Sequence, residues 1–216
     1  MRKSAMTLFA LGCAMAFGQG PQPERAIQGG TIISRRDPAM RIELPRTAKY
    51  VGGDRWELYG IADCEIHVFV EADVKKKVRH LYWVQFEQYL SSRPELQHNY
   101  KTQELATFAG FDTYVRSQFG KTSDPAKEGS DLEHVHTLIR AKGYTLPPEM
   151  INLRLVRLLD HQKRKELMII YSEDLAPTGE TVDGLLANGQ ASDAWAMMQK
   201  AILSRAERRI HLLPRR

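Results

Sequence analysis

The most regular pattern in the sequence is an alternation of apolar and polar residues from Trp56 to Ala72. The even positions are mostly apolar, with Gly60 among them, whereas the odd positions include acidic residues and a histidine. A period of two residues is typical of a β-strand with one buried face. The pattern therefore predicts one long strand, a turn at residues 73–77, and a second strand at residues 78–89 that is rich in aromatic and β-branched residues.

The register of this first hairpin can be inferred from the chemistry of opposing side chains. Pairing Ala72 with Val78 brings Glu71 opposite Arg79, which would form an ion pair on one face. The same register collects apolar side chains on the other face. The arrangement is self-consistent, because a slip of one residue would exchange the two faces of a strand.

Two further hairpins follow in the sequence. The second is centred on residues 109–110, with arms at 102–108 and 111–117. The third joins two apolar runs, residues 153–159 and 166–171, through a charged loop. Continuous apolar runs are typical of strands that are buried on both faces, so we expect the third hairpin to be central in its sheet.

Two helices accompany the hairpins. Residues 130–133 read Ser-Asp-Leu-Glu, a capping box at a helix start, and Gly143 is a suitable stop. Residues 192–193 cap a last helix that runs to about Ile210. The predicted fold class is therefore α+β: one antiparallel sheet of about six strands built from three hairpins, with a helix before the third hairpin and a C-terminal helix packed on the sheet.

Residues 1–20 have the order of a secretory signal peptide. Arg2 and Lys3 precede an uncharged apolar run from Ala5 to Phe17, and small residues follow it. The run is shorter than the roughly 20 apolar residues of a membrane-spanning helix, so no transmembrane span is expected after cleavage. We expect the protein in the periplasm or outside the cell. Lipoprotein processing at Cys13 is a second interpretation that the preceding residues fit less well.

The remainder of the chain divides into a lead-in and one domain. Residues 21–48 contain much Pro, Gly and Arg, which predicts an irregular linker with one short strand at residues 41–44. Residues 49–213 carry all the hairpins and helices and are expected to form a single α+β domain.

Composition and net charge restrict the classes of function that are expected for this protein. The formal net charge of the 216 residues is +5, and removal of Arg2 and Lys3 would leave +3. Such a mild charge is not the footprint of a nucleic-acid-binding protein. The C-terminus is locally basic. Its arginines either complement the helix dipole or make weak contact with an anionic surface. They are Arg205, Arg208, Arg209, Arg215 and Arg216.

The first hairpin holds the candidate catalytic residues. The inferred register places Asp63 opposite Glu87, with His67 a short distance along the strand. Two carboxylates that face each other need solvent, a cation or a shared proton, and such a pair is one route to acid and base catalysis. The alternative is an ordinary solvated face of an antiparallel sheet.

The candidate ligand-binding residues are aromatic and aliphatic. Phe69, Leu81, Trp83 and Tyr89 are expected on the mixed face of the same hairpin. A helix could cover this face, or the face could line a groove for an apolar ligand.

No cofactor and no metal site is predicted. His134 and His136 are two residues apart, so on a helix they point in very different directions and cannot share one ion. The sequence also contains no nucleophile elbow, phosphate-binding loop, dinucleotide fingerprint or Cys-x-x-Cys motif.

Three hypotheses for function remain. The first is an exported non-catalytic domain that binds a small apolar ligand, a lipid or an envelope protein. The second is a hydrolase-like enzyme that uses the carboxylates of the first hairpin. The third is a structural or stress-related envelope protein.

Overall fold

The computed structural model describes residues 21–187 and 190–214. In chain order the strands are β1 (Ala26–Gln28), β2 (Thr31–Ser34), β3 (Met40–Glu43), β4 (Lys49–Leu58), β5 (Ala62–Ala72), β6 (Val78–Tyr89), β7 (Glu104–Phe108), β8 (Phe111–Lys121), β9 (Glu149–Leu158), β10 (Lys165–Asp174), β11 (Leu186–Ala187), β12 (Gln190–Ala191) and β13 (His211–Pro214). The helices are α1 (Asp131–Ala141), α2 (Val182–Leu185) and α3 (Asp193–Arg209), with a 3-10 turn at Ala176–Thr178. Signal cleavage and processing at Cys13 concern residues outside the described ranges, as do Arg215 and Arg216.

A seven-stranded antiparallel sheet forms the centre of the molecule, in the order β4-β5-β6-β10-β9-β8-β7. It contains the three predicted hairpins, β5–β6, β7–β8 and β9–β10. Strand β10 has three strands on each side, as expected for an apolar segment buried on both faces. The α+β class is confirmed.

A second, four-stranded antiparallel sheet shows that the prediction of one six-stranded sheet was wrong. Its order is β1-β2-β3-β13, so three strands come from residues 26–43 and the fourth from the other end of the described chain. These strands are only three or four residues long, too short for a clear alternation. Ile32 and Ile42 are nevertheless fully buried, which anchors this sheet in the core.

The predicted long strand from Trp56 is interrupted by a turn. Residues Trp56 to Leu58 end β4, and β5 then runs back beside it, so that Trp56 faces Cys64. Tyr59 and Gly60 occupy the turn at φ of 49° and 68°, which glycine adopts without strain. The alternation of apolar residues continues through the turn, so the sequence pattern does not show that the strand ends there. Cys64 and Ile66 are fully buried, as the alternation predicts. Glu65, His67 and Phe69 on the other face are buried as well, so the expectation of a single buried face was wrong.

The inferred register of the first hairpin is wrong by one residue. Ala72 does face Val78, but an irregularity next to Glu71 shifts the pairing, so that Glu71 faces His80 and not Arg79. One extra residue in one strand is a β-bulge, which changes the facing partner of every residue beyond it. The consequence for the candidate site is described below.

The two faces of the large sheet are covered by different elements. One face, here named the α1 face, buries Val135 and Ile139 of α1 against the sheet. The other, the α3 face, buries Trp195 and Ile202 of α3 together with the four-stranded sheet. The predicted packing of the C-terminal helix on the sheet is confirmed. No helix in the described part of the chain is long and apolar enough to cross a membrane.

Both helices begin at the predicted serines. The Ser130 hydroxyl accepts a hydrogen bond from the Glu133 amide at 3.4 Å, and the Ser192 hydroxyl accepts one from the Trp195 amide at 3.3 Å. The Glu133 carboxylate accepts from the Gly129 amide at 2.6 Å. These bonds satisfy amides that have no partner inside the helix, and so they define where α1 and α3 start.

Candidate functional site

The predicted catalytic carboxylates lie on opposite faces of the sheet. The β-bulge places Asp63 opposite Gln88 and Glu87 opposite Cys64. Because neighbouring residues of a strand alternate between faces, Asp63 points to the α3 face and Glu87 to the α1 face. The predicted Asp63–Glu87 pair is therefore wrong. Asp63 instead forms a two-bond ion pair with Arg55, with N–O distances of 3.0 and 2.7 Å.

His67 belongs to a buried network on the α3 face. Its Nε2 lies 2.9 Å from a Glu65 carboxylate oxygen, and its Nδ1 lies 3.2 Å from the Tyr50 hydroxyl. The backbone amide and guanidinium of Arg25 donate to the same carboxylate at 2.9 and 2.8 Å. Burial acts to raise the pKa of Glu65, but the bonds from His67 and Arg25 outweigh it and lower that pKa to about 2. His67 is thus fully paired within the protein.

The four predicted ligand-binding residues do not share one surface. Leu81 and Trp83 lie on the α1 face, whereas Phe69 lies on the α3 face, 4.9 Å from the Tyr50 ring. Tyr89 ends β6 and stacks on His98 with ring centroids 4.5 Å apart. The shift of register separates Phe69 from Leu81, which the inferred hairpin had placed opposite each other.

Helix α1 covers only part of the α1 face and leaves a cavity of about 240 Å³ beside Trp83. The cavity lies between α1, the central strands and the segment that follows β8. Its lining is mainly apolar. The apolar side chains that define it are Leu81, Trp83, Leu132, Val135, Met150 and Ile170.

Polar groups lie at one side of the same cavity. They include His136 on α1 and Asn152 and Ser172 on the central strands. Burial, followed by the nearby charge of Arg140, lowers the pKa of His136, so its imidazole is neutral near pH 7. Lys121, also at the cavity, is held by the Asp183 carboxylate at 2.9 and 3.0 Å. The cavity therefore presents apolar walls with the uncharged groups of His136, Asn152 and Ser172, and its lining also includes the oppositely charged Lys121 and Asp124.

A cluster of titratable side chains occupies the same face further along the strands. Glu87 of β6 and Glu166 of β10 face each other directly, and His98 comes from the loop after β6. One ligand atom from each of the three lies within 4.8 Å of the other two. We name these three residues the Glu-His-Glu cluster. His98 Nδ1 is 3.0 Å from a Glu166 oxygen, and the Tyr100 hydroxyl donates to that oxygen at 2.5 Å.

The negative charges of the carboxylates in and near this cluster repel each other. Burial is the main cause that raises the pKa of Glu87 to about 7, and the negative charge of Glu166 raises it further. Burial also raises the pKa of Asp131, at the start of α1, and the charge of Asp131 contributes to the shift of Glu87. In the described residues Glu87 forms no ion pair within 4.0 Å. Glu166 has Arg154 at 4.0 Å.

Hydrogen bonds connect the cavity wall to this cluster. The Trp83 indole Nε1 donates to the Gln85 side-chain oxygen at 2.9 Å, and the Gln85 amide donates to Glu87 at 3.1 Å. Because each hydrogen bond orients the next side chain, a movement of Trp83 would change the position of the Glu87 carboxylate.

The two histidines of α1 are separated as the helical geometry requires. His134 lies 2.6 Å from an Asp54 oxygen and stacks on Trp56 at 4.0 Å between centroids, while His136 lines the cavity. Of the described C-terminal arginines, Arg205 pairs with Glu173 at 2.6 Å and Arg209 with Glu71 at 2.8 Å. Arg205 and Arg209 thus fasten α3 to the sheet.

Sequence reasoning missed His98, Tyr100 and Glu166. His98 and Tyr100 lie between β6 and β7 in a segment without period, and no local pattern marks them. Glu166 did carry a signal, because it opens an apolar run predicted to be buried on both faces. A carboxylate in such a strand must be paired, protonated or bound to a cation.

The chain matches no protein-family model, and no curated protein or solved structure is significantly similar to it. Its function must therefore be inferred from the geometry of these side chains.

Proposed function

We propose that the protein is an exported, non-catalytic domain that binds one small, mainly apolar ligand in the cavity beside Trp83. The observation that supports this proposal is the cavity itself: α1 leaves about 240 Å³ uncovered against a tryptophan, with a mainly apolar lining. Binding sites for small molecules are concave and mostly apolar, with a few placed polar groups. The cavity has this composition.

The size of the cavity narrows the class of ligand. An engineered apolar cavity of roughly 150 Å³ binds benzene. A cavity of about 240 Å³ accommodates a somewhat larger molecule, such as a bicyclic aromatic or a short alkyl chain. A whole phospholipid is far larger, so of the ligands considered from the sequence a small metabolite fits better than a lipid.

The polar groups suggest how the ligand is oriented. His136, Asn152 and Ser172 lie together at the cavity, and none of them carries a fixed charge at neutral pH. A ligand with one neutral hydroxyl, carbonyl or amide group would satisfy them. Lys121 also lines the cavity but is already paired with Asp183, and the other charged residue of the lining is Asp124, so an anionic head group would find no free cation there. We therefore favour a neutral ligand.

The enzymatic alternative loses its basis in the form derived from the sequence. It required Asp63 and Glu87 to act together, and these side chains lie on opposite faces. A structural role in the envelope needs no cavity, so ligand binding is the hypothesis that the geometry favours.

Ligand binding can be tested by filling the cavity from one side. Gly120 borders it, and a Cβ added at Gly120 would have no heavy atom within 4 Å. Gly120→Leu should therefore occupy the cavity without a clash, while Gly120→Ala leaves most of it open. A panel of neutral aromatic and short-chain compounds is screened by tryptophan fluorescence and by the shift of the melting temperature.

A compound that binds the wild type and Gly120→Ala, but binds Gly120→Leu at least about tenfold more weakly, supports the proposal; such a loss corresponds to about 1.4 kcal/mol. The absence of any response across the panel, or binding that Gly120→Leu leaves unchanged, contradicts it.

Export is tested separately with the full chain. Expression in a bacterial host followed by cell fractionation and N-terminal sequencing should yield a protein outside the cytoplasm whose first residue follows Gly18 or Gly20. A cytoplasmic protein with an intact N-terminus contradicts this part of the proposal and leaves the cavity experiment unaffected.

A further inference from the structure

We propose that Glu87, His98 and Glu166 bind one divalent first-row transition-metal ion, of which Zn²⁺ and Mn²⁺ are the best candidates. The inference is independent of the ligand proposed for the cavity, because it depends on a different set of side chains.

The spacing of the ligand atoms suits a single ion. One atom from each of the three side chains lies within 4.8 Å of the others, and His98 Nδ1 is 3.0 Å from a Glu166 oxygen. Metal–nitrogen and metal–oxygen bonds of roughly 2.0–2.2 Å place neighbouring ligands about 3.0–3.5 Å apart. Small rotations of Glu87 and Glu166 would bring all three atoms onto one ion.

The chemistry of the donors selects the class of metal. Two carboxylates with one imidazole form a mixed oxygen and nitrogen set. Imidazole suits Zn²⁺ and iron, and carboxylate suits Mn²⁺, whereas Ca²⁺ and Mg²⁺ prefer oxygen ligands throughout. The nearby thiol, Cys64, faces Glu87 across the strands and accepts from the Gln85 amide at 3.8 Å, and burial raises its pKa, so it stays a neutral thiol and is not included in the ligand set.

The cluster is buried and only weakly neutralised by the side chains around it. Glu166 is 1% exposed and His98 is 5% exposed. Arg154 lies 4.0 Å from Glu166. A carboxylate buried in this way must be paired, protonated or bound to a cation.

The carboxylates on the α3 face differ from those of the cluster in their partners. On the α3 face the carboxylates of Glu65, Glu71 and Glu173 each contact an arginine at 2.8 Å or less. On the α1 face Glu87 contacts no cation within 4.0 Å in the described residues, and its direct neighbour is Glu166. A divalent ion between Glu87 and Glu166 would provide the positive charge that arginine provides on the other face.

The position of the third carboxylate fits a supporting role. Asp131 is the first residue of α1, and its negative charge contributes to the raised pKa of Glu87, as that of Glu166 does to the raised pKa of Asp131. Residues around a metal site that orient the ligands or complete their hydrogen bonds commonly contribute to affinity. We assign Asp131 as such a positioning residue and exclude it from the ligand set.

The test uses the full chain without an affinity tag, stripped with EDTA and then titrated with ZnCl₂ and MnCl₂ in a calorimeter. We expect one ion per chain and a raised melting temperature. His98→Gln and Glu166→Gln should each lower the affinity at least about 100-fold, the upper end of what loss of a supporting residue costs. His161→Gln, which removes an exposed histidine, is the matched control and should leave the affinity unchanged.

A second measurement needs no variant, so it decides the question even if a substitution prevents folding. Crystals of the wild type are soaked in ZnCl₂ and measured at the zinc absorption edge. An anomalous peak between His98 and Glu166 supports the site. A wild type that takes up no ion, an affinity that survives both substitutions, or a peak elsewhere in the molecule overturns it.

Discussion

The carboxylates on the two faces of the large sheet differ in whether a cationic side chain neutralises them. The α3 face is covered by α3 and the four-stranded sheet, which leave a polar cleft between α3 and β8, and Glu65, Glu71 and Glu173 on this face are each paired with an arginine. The α1 face is covered by a helix of 11 residues, retains a cavity, and brings Glu87 against Glu166. The carboxylates named on the α3 face are thus paired with arginines, whereas Glu87 on the α1 face has no such partner in the described residues.

The difference separates structural residues from functional candidates. Ion pairs that satisfy every partner within the protein fix the packing of elements and leave nothing to bind. A cavity and opposed carboxylates lower stability, and such features are retained where a ligand or ion completes them. We therefore expect substitutions on the two faces to differ in sign.

The largest expected effect is acid destabilisation through the α3 face. The pKa values of Glu65 and Glu71 are lowered to about 2; in both, burial alone would raise the pKa and the bonds to His67 and His80 respectively are the largest opposing effect. A lowered native pKa contributes stability above the unfolded value of about 4.5, which is lost as the pH falls toward 2. Between pH 6 and pH 3 we expect these two carboxylates to cost on the order of 4 kcal/mol. The loss is measured by urea unfolding of Glu87→Gln, because the raised pKa of Glu87 acts in the opposite direction in the wild type and would offset about half of it. A flat profile over this range contradicts the paired arrangement.

Glu65→Gln should be the most damaging single substitution. It leaves Arg25 buried without a counter-ion and replaces one of the two carboxylate oxygens, which accept from Arg25 and His67, with an amide NH2 group that cannot accept. Breaking one side of a buried pair commonly costs 3–5 kcal/mol, and the lowered pKa indicates about 3 kcal/mol. Urea unfolding at pH 7 measures the loss, with Glu95→Gln, on the exposed surface, as the control. A cost below about 1 kcal/mol would mean that solvent screens the pair.

Glu87→Gln should act in the opposite direction. In EDTA at pH 8 it removes one of two facing carboxylates, and it keeps an amide that can accept the hydrogen bond from Gln85. Relief of repulsion and of the desolvation of a charge should raise the free energy of unfolding by about 1–2 kcal/mol. If Glu87→Gln instead destabilises the metal-free protein as strongly as Glu65→Gln, the two faces do not differ in the way described.

The smallest expected effects come from the two helix caps, Ser130 and Ser192. Replacing either with alanine removes one side-chain acceptor and should cost about 0.5–1 kcal/mol. Only Ser130→Ala should also weaken ligand binding, by a few fold, because the first turns of α1 carry Leu132 and Val135 of the cavity wall. Equal effects of both variants on binding would show that α1 has no special role.

The sequence predicted the individual strands and helices better than it predicted the register and pairing between them. Alternation and capping residues are local, so the three hairpins and the starts of α1 and α3 followed directly from them. The bulge beside Glu71 has no local signature, and it changed every facing pair of the first hairpin beyond that of Ala72 with Val78. For the same reason Asp63 and Glu87 were assigned to the same face.

The candidate site was predictable only in part. Trp83 and Glu87 were chosen from the sequence, and both lie on the face that carries the cavity and the cluster. Their partners come from elsewhere: Glu166 is 79 positions from Glu87 and reaches it through the β6–β10 pairing, which no hairpin pattern specifies. Non-local strand pairing has to be seen in three dimensions.

The pairing of β13 with β3 has a consequence for the order of assembly. The two segments are separated by most of the chain, so β3 lacks this neighbour until residues 211–214 have left the ribosome. Contacts between distant segments form slowly, because a long loop must first be closed. In a growing chain this edge of the four-stranded sheet therefore stays open until residues 211–214 have been made, and removal of these residues should lengthen the lifetime of that open state and favour its degradation.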